Sequence, residues 1–377
     1  MQRKGPLTSI AFGTLSFAGG VFAVTAHADD GRRPFAPEFI VSSTVPANGD
    51  LNPYGIAFVP KDFLPGGTIA PDDVLVANFN GSTNLQGTGV TIIKLTPTGG
   101  VAPSVTAGQS GNATTFFTSS RQGLTTALGV LRLGFVIVGN LPSTDGTFNT
   151  VGQGSLQVVD RNGTLVKTLI DATYLGSPWD LTINDGGAYA QVFVSNVVSG
   201  TVARINLTVS AAGVAVQTQN VIAEHYGHRG DPAAFALGPT GLAYDKNADV
   251  LYVASTLDNA IYAVPAAGKR TSPADKGNLV FSDPHLRGPL ALVLAPNGDL
   301  ITANGDAVNS DPTHPSEIIE FTKGGKFVQQ SNIDASTGGA FGIAVRPSSR
   351  RFNFAAVDDV PNTVTVFAVP FQSEGQQ

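Results

Sequence analysis

One pattern recurs six times along the 377-residue chain and limits the fold more than any other feature. It opens with a turn containing Pro or Gly, then a small residue and a run of alternating aliphatics. The copies are Asn52-Pro53-Tyr54-Gly55-Ile56-Ala57, Ala127-Leu128-Gly129-Val130-Leu131, Ser177-Pro178-Trp179-Asp180-Leu181-Thr182, Gly238-Pro239-Thr240-Gly241-Leu242-Ala243, Gly288-Pro289-Leu290-Ala291-Leu292-Val293 and Gly339-Ala340-Phe341-Gly342-Ile343-Ala344. A second segment follows each opening and ends in a polar residue: Asn78, Asn140, Asn196, Ser255, Asn304 and Asp358. A third aliphatic segment comes next, such as Ser155–Asp160 or Glu317–Phe321, and most copies add a fourth, such as Thr164–Ile170. Period-two alternation over such short runs is the pattern of half-buried strands. Four antiparallel strands per repeat make a propeller blade, so the chain is expected to be an all-β, six-bladed β-propeller.

Spacing supports that count. The residues at the opening position, 55, 129, 180, 241, 291 and 342, lie 74, 51, 61, 50 and 51 apart. The longest interval is too short for two blades of this size, so an insertion over residues 96–124 is expected in blade one; seven blades are the alternative count. After Val364–Pro370 only seven residues remain, too few for an outer strand. Phe39–Val45 reads as a strand with no blade of its own. Placing it as the outer strand of blade six pairs both ends of the chain and removes an exposed edge.

Composition fits this architecture. Only 13% of residues are charged, against 44 glycines and 24 prolines, a balance that suits many short turns and disfavours long helices. Residues 1–28 stand apart: Arg3 and Lys4, an uncharged stretch from Leu7 to Thr25, and Ala26-His27-Ala28 before Asp29 make a signal peptide with a small-x-small cleavage site. The other reading of that stretch is an uncleaved anchor. The expected organisation is therefore a signal peptide over 1–28 and one propeller domain over 29–377, secreted or periplasmic. The mature chain would carry 20 basic and 28 acidic residues, a net charge of about −8 with His neutral. The absence of a basic cluster speaks against nucleic acid as a partner, and no second apolar stretch is long enough to span a bilayer. No cysteine is present, so the domain holds without disulfides.

The Pro-x-Gly-aliphatic-Ala opening, followed by Val-Ala-polar and a short aliphatic strand, resembles the NHL-type six-bladed propellers, most closely at Asn52–Ala57 and at Leu251–Ser255 with Asp258–Ile261. Gluconolactonase-like relatives of that architecture imply a divalent metal held by Glu, Asn and Asp just before the opening glycine. The matching positions here are Tyr54, Leu128, Trp179, Thr240, Leu290 and Phe341, a set without the oxygen donors that a hard cation requires. Amidating-lyase relatives imply a zinc held by His, and none of these positions is His.

Two rings of candidate residues follow from the repeat. Tyr54, Leu128, Trp179, Leu290 and Phe341, with Asp180 and Thr240 beside them, encircle one mouth of the central channel. They either form a pocket for an apolar group or a partner's side chain, or plug the channel themselves. Asn78, Asn140, Asn196, Asn304 and Asp358 either bond turn backbone or form a polar collar for a ligand. His225, His228, His285 and His314 fall in loops on the same side as that mouth, where zinc or copper could be held, although their spacing matches no recognised ligand pattern. The reading adopted from sequence is a monomeric binding propeller without a cofactor, taking a small apolar ligand or a protein partner at the channel mouth. Its alternatives are a metal-dependent hydrolase or lyase using the His-bearing loops, and a structural surface or matrix protein.

Overall fold

The computed structural model describes residues 38–96, 113–305, 313, 317–333, 339–347 and 351–370. They form six four-stranded antiparallel sheets, five of them running from an inner to an outer strand in chain order and the sixth taking its outer strand from the start of the described chain, and one extra two-stranded hairpin. The only helical element among the described residues is a single 3-10 turn, Phe148–Thr150. No helix among them is long and apolar enough to cross a membrane.

The six openings mark the same structural event. In each blade the register between the first two strands slips at the opening, between Pro53 and Gly55, Leu124 and Leu128, Pro178 and Leu181, Pro239 and Leu242, Pro289 and Leu292, and Ala340 and Ile343. A β-bulge here bends the inner strand where it turns onto the channel. In blades four and six a glycine is required there because neighbouring inner strands nearly touch: a Cβ on Gly342 would stand 2.0 Å from the Tyr54 carbonyl oxygen, and one on Gly241 would stand 2.2 Å from that of Leu290.

The ring closes as the ends of the chain require. Glu38–Ser43 pairs antiparallel with Thr363–Pro370, Ile40 opposite Val366 and Ser43 opposite Thr363, and supplies the outer strand of blade six. Blade one departs from expectation. Ala113–Thr118, inside the stretch assigned to an insertion, is that blade's outer strand and pairs with Thr91–Leu95, while residues 97–112 lie outside the described residues. The 61-residue interval has two causes. Blade three has long outer strands, Thr201–Ser210 and Gly213–Ala223, and the hairpin Arg229–Asp231 with Phe235–Leu237 precedes blade four.

Apolar side chains are buried between blades. Leu156 and Val158 of blade two pack with Val192, Val194 and Ile205 of blade three, and five equivalent clusters fill the other gaps around the ring. Each fully buried aliphatic side chain of this kind contributes about 1.5–3 kcal/mol relative to exposure. A seventh cluster does not lie between blades. It sits at one end of the axis, on the side of the turns that join second and third strands.

Candidate functional site

That seventh cluster is built from rings supplied by distant parts of the chain. Tyr54 stacks on Phe79 and Phe341 at centroid distances of 4.7 and 4.5 Å. Trp179 meets Phe79 edge-on at 5.4 Å and stacks with Phe235 at 6.3 Å. Tyr54, Phe79, Trp179 and Phe235 are buried, and Phe341 is partly buried. Tyr54, Trp179 and Phe341 come from opening positions; Phe79 ends a second strand and Phe235 belongs to the inserted hairpin. Phe235 adopts φ +64°, a left-handed conformation that costs a bulky residue free energy and is held by the rings around it. Together these rings close the channel and leave a cavity on either side.

The outer cavity, about 390 Å³, is bounded by blades one and six and by the hairpin. Its wall is rich in side-chain amides. Asn52, Asn84 and Asn362 all have positive φ, which Asn tolerates better than other non-glycine residues. The Asn362 Oδ1 accepts the Asn52 backbone N–H at 2.6 Å, and Asn80 donates to the Asn84 side-chain oxygen at 2.8 Å. Gln86 donates to the Ala233 carbonyl at 3.1 Å and ties the hairpin to blade one. The Oδ1 atoms of Asn52 and Asn80 are buried without a hydrogen-bond partner. Tyr54 lies at the base, where burial first and then the negative charge of Asp359 push its phenol above its usual range; a hydrogen bond with the Asn52 side chain acts in the opposite sense. Among the described residues Asp359 is the one carboxylate in this lining, and no cationic side chain is in it.

The inner cavity is the channel itself, about 410 Å³, walled by the inner strands beyond their bulges. Aliphatic residues dominate it, and its ionisable groups are Asp180, Tyr244 and Arg346. Asp180 takes the position that is Gly or Ala in the other five blades. Its Oδ1 accepts the Leu181 N–H at 2.8 Å and its Oδ2 the Leu242 N–H of the next blade at 3.1 Å. Burial raises its carboxyl to about 8 against the pull of those two bonds, and no charged neighbour contributes.

The remaining sequence candidates are structural participants or lie apart. Thr240 is buried and its hydroxyl reaches the Pro289 carbonyl at 3.1 Å, linking blades four and five. Asn78, Asn140, Asn196 and Asn304 donate to the carbonyls of Thr44, Gln122, Tyr174 and His285 at 2.8–3.0 Å, each fastening the connection that enters its own blade. Asp358 accepts the Val360 N–H at 2.9 Å within its own turn. All five are buried and face no cavity described above. His225 contacts Asp275 at 3.0 Å, His228 the Tyr226 carbonyl at 2.9 Å, and His285 the Asp283 carboxylate, with its ring stacked on Phe327 at 3.9 Å. The three have separate partners, and His314 lies outside the described residues. Among the described residues no group of three or more His, Cys, Asp or Glu side chains is placed to hold a metal.

Sequence reasoning missed Phe79, Phe235 and the amides Asn52, Asn80, Asn84, Gln86 and Asn362. A partial signal was present: blade one's second strand continues past the repeat's last polar position, Asn78, through Phe79 to Asn80, unlike its counterparts.

No family model matches the chain, and no curated protein matches it. Among solved structures, it is similar to an oxidoreductase (glucose dehydrogenase) from Thermus thermophilus, with 12% identity, a TM-score of 0.52 and coverage of 88% of this chain and 100% of that one. It is also similar to a gluconolactonase from Xanthomonas campestris, with 12% identity, a TM-score of 0.50 and coverage of 90% of this chain and 99% of the other. Likeness at such identity concerns the fold, and it supports the six-bladed propeller arrangement.

Proposed function

We propose that this chain is an exported binding propeller of NHL-like type, and that its recognition pocket is the amide-lined cavity outside the aromatic plug. The ligand class that suits the cavity is a neutral polyhydroxylated molecule such as a sugar unit. The observation that carries this reading is a cavity wall that brings together five side-chain amides, Asn52, Asn80, Asn84, Gln86 and Asn362, with one carboxylate. Amides donate and accept side by side, as adjacent hydroxyls do, and the Asp359 carboxylate adds an acceptor. Phe341, partly buried at the cavity's edge, offers an apolar surface for ring C–H groups. A hard divalent cation suits the wall less well, because such ions are held by six to eight oxygens, commonly from several carboxylates, and Asp359 is the lone carboxylate among the described lining residues.

Titration of the purified protein with a panel of monosaccharides and disaccharides, followed by saturation-transfer NMR, tests the proposal. At least one sugar should bind saturably, and Asp359→Asn and Asn80→Ala should each weaken it by about tenfold, the loss of one good hydrogen bond to a charged or buried partner. Absence of saturable binding across the panel, or binding indifferent to both substitutions in folded protein, would sink the reading.

A further inference from the structure

The channel on the other side of the plug has a chemistry of its own. It is closed at one end by the aromatic cluster, walled by aliphatic inner strands, and holds one acid and one guanidinium at different depths. Asp180 sits near the closed end, in the bulge of blade three. Arg346 lies on blade six, four residues beyond Gly342, the position equivalent to Asp180. At about 3.3 Å per strand residue, the two levels are separated by roughly 13 Å along the channel. Arg346 pairs with Asp72 and lies over the Phe58 ring at 5.1 Å, and it is the one cationic side chain among the described residues of the channel lining. Asp180 receives two backbone N–H bonds, an arrangement suited to a carboxylate, but no cation among the described residues balances it.

We infer that the channel is a second, separate binding site, which takes an elongated apolar molecule carrying a primary ammonium at one end and an anionic group at the other. The ammonium enters first and pairs with Asp180, the aliphatic walls cover the midsection, and the anionic end remains at the level of Arg346. An acid held protonated by burial ionises when a cation arrives beside it. Binding of the ammonium therefore releases a proton below the carboxyl's own pKa of about 8. Of the other ionisable groups in the channel lining, Tyr244 is held neutral, because burial and its bond to Asp249 raise its phenol, and Arg346 stays charged even though burial lowers its pKa.

The test uses 8-aminooctanoate with two single-ended controls, octylamine and octanoate, titrated calorimetrically into the intact protein. The two-ended probe should bind at least ~10-fold tighter than either control, the gain from one added charge pair in a site shielded from water. Asp180→Asn should abolish its advantage over octanoate, and Arg346→Gln its advantage over octylamine. In the unaltered protein the affinity for octylamine should rise by up to ~10-fold per pH unit from pH 6, level off above about pH 8, and be accompanied by proton release. That readout needs no variant, so it survives a substitution that fails to fold. Equal affinities for all three probes, no saturable binding by any of them, or an octylamine affinity independent of pH would each overturn the inference. Asp359→Asn in the outer cavity should leave all these values unchanged, which separates this site from the proposed sugar pocket.

Discussion

The two cavities are separated by one layer of rings, yet they are made from different parts of the repeat. The channel is lined by the inner strands, the most regular part of each blade, and its chemistry comes from departures from that regularity, Asp180 and Arg346 above all. The outer cavity is lined by what the repeat does not specify: the extended second strand and loop of blade one, the turn of blade six, and a hairpin that belongs to no blade. The contrast teaches that chemical individuality arises in a repeat protein either from substitutions in a regular wall or from segments added to it. The channel has the first kind and the outer cavity the second.

The comparison depends on the plug, and removing its central ring should have the largest effect. Phe79 touches Tyr54, Trp179 and Phe235 and is fully buried. Phe79→Ala should destabilise the fold by about 3–5 kcal/mol, measured by urea unfolding, because the hole is walled by rings that cannot collapse into it. The same variant should join the cavities, so that ligands of one side compete with those of the other. If it unfolds at nearly the urea concentration of the parent protein, the rings pack too loosely to form a barrier.

How much of this was legible beforehand follows the same division. Alternating aliphatics and the Pro-x-Gly openings reveal blades because a bulge pressed against a neighbouring strand favours a small residue, as at Gly342 and Gly241. The unpaired segment before blade one reveals the closure because an unpaired edge has few other stable places. The plug and the amide pocket were not legible as a site. Their members converge from positions as far apart as Asn52 and Asn362, and nothing local marks which loops meet above the axis. Phe235 illustrates the difficulty: its hairpin has no counterpart in the repeat, and its left-handed backbone goes against local preference. Asn78, Asn140, Asn196 and Asn304 fall between these cases. A polar role at the end of each second strand was visible, whereas the incoming connection as partner depends on the fold.

A smaller effect sharpens the contrast from the channel side. Asp180 has a folded pKa raised from its ordinary value to about 8. The native state therefore holds a proton that the unfolded chain has released, so the stability associated with this group is full below about pH 4 and is lost as pH rises toward 8. The slope should be at most about 1.4 kcal/mol per pH unit in that window. Asp180→Asn, which cannot ionise, should remove that slope without changing behaviour below pH 4. Urea unfolding at several pH values decides it: parallel curves for the two proteins would show that the carboxyl is not perturbed by burial.

The smallest expected effect concerns the His-bearing loops on the outer side, where a bound metal would make that face reactive rather than merely receptive. His225, His228 and His285 each already engage a different partner, and two of those partners, Asp275 and Asp283, are carboxylates on separate loops. Zinc or copper would need at least three of these side chains to leave their partners and converge, and Asp283 would surrender the contact with His285 that helps hold its carboxyl below the usual range. Protein purified without chelator should therefore carry no stoichiometric zinc or copper by elemental analysis. Changing His228 and His285 together to Ala should lower stability by about 0.5 kcal/mol or less per site, as expected for partly exposed groups, apart from whatever the His285 ring contributes against Phe327. One equivalent of metal, lost in the double variant together with a fall in Tm, would reverse the comparison, because a metal bound only by the folded state stabilises it by mass action. The outer face would then be the site of metal-assisted chemistry, and the amide pocket beside it the place where the substrate is held.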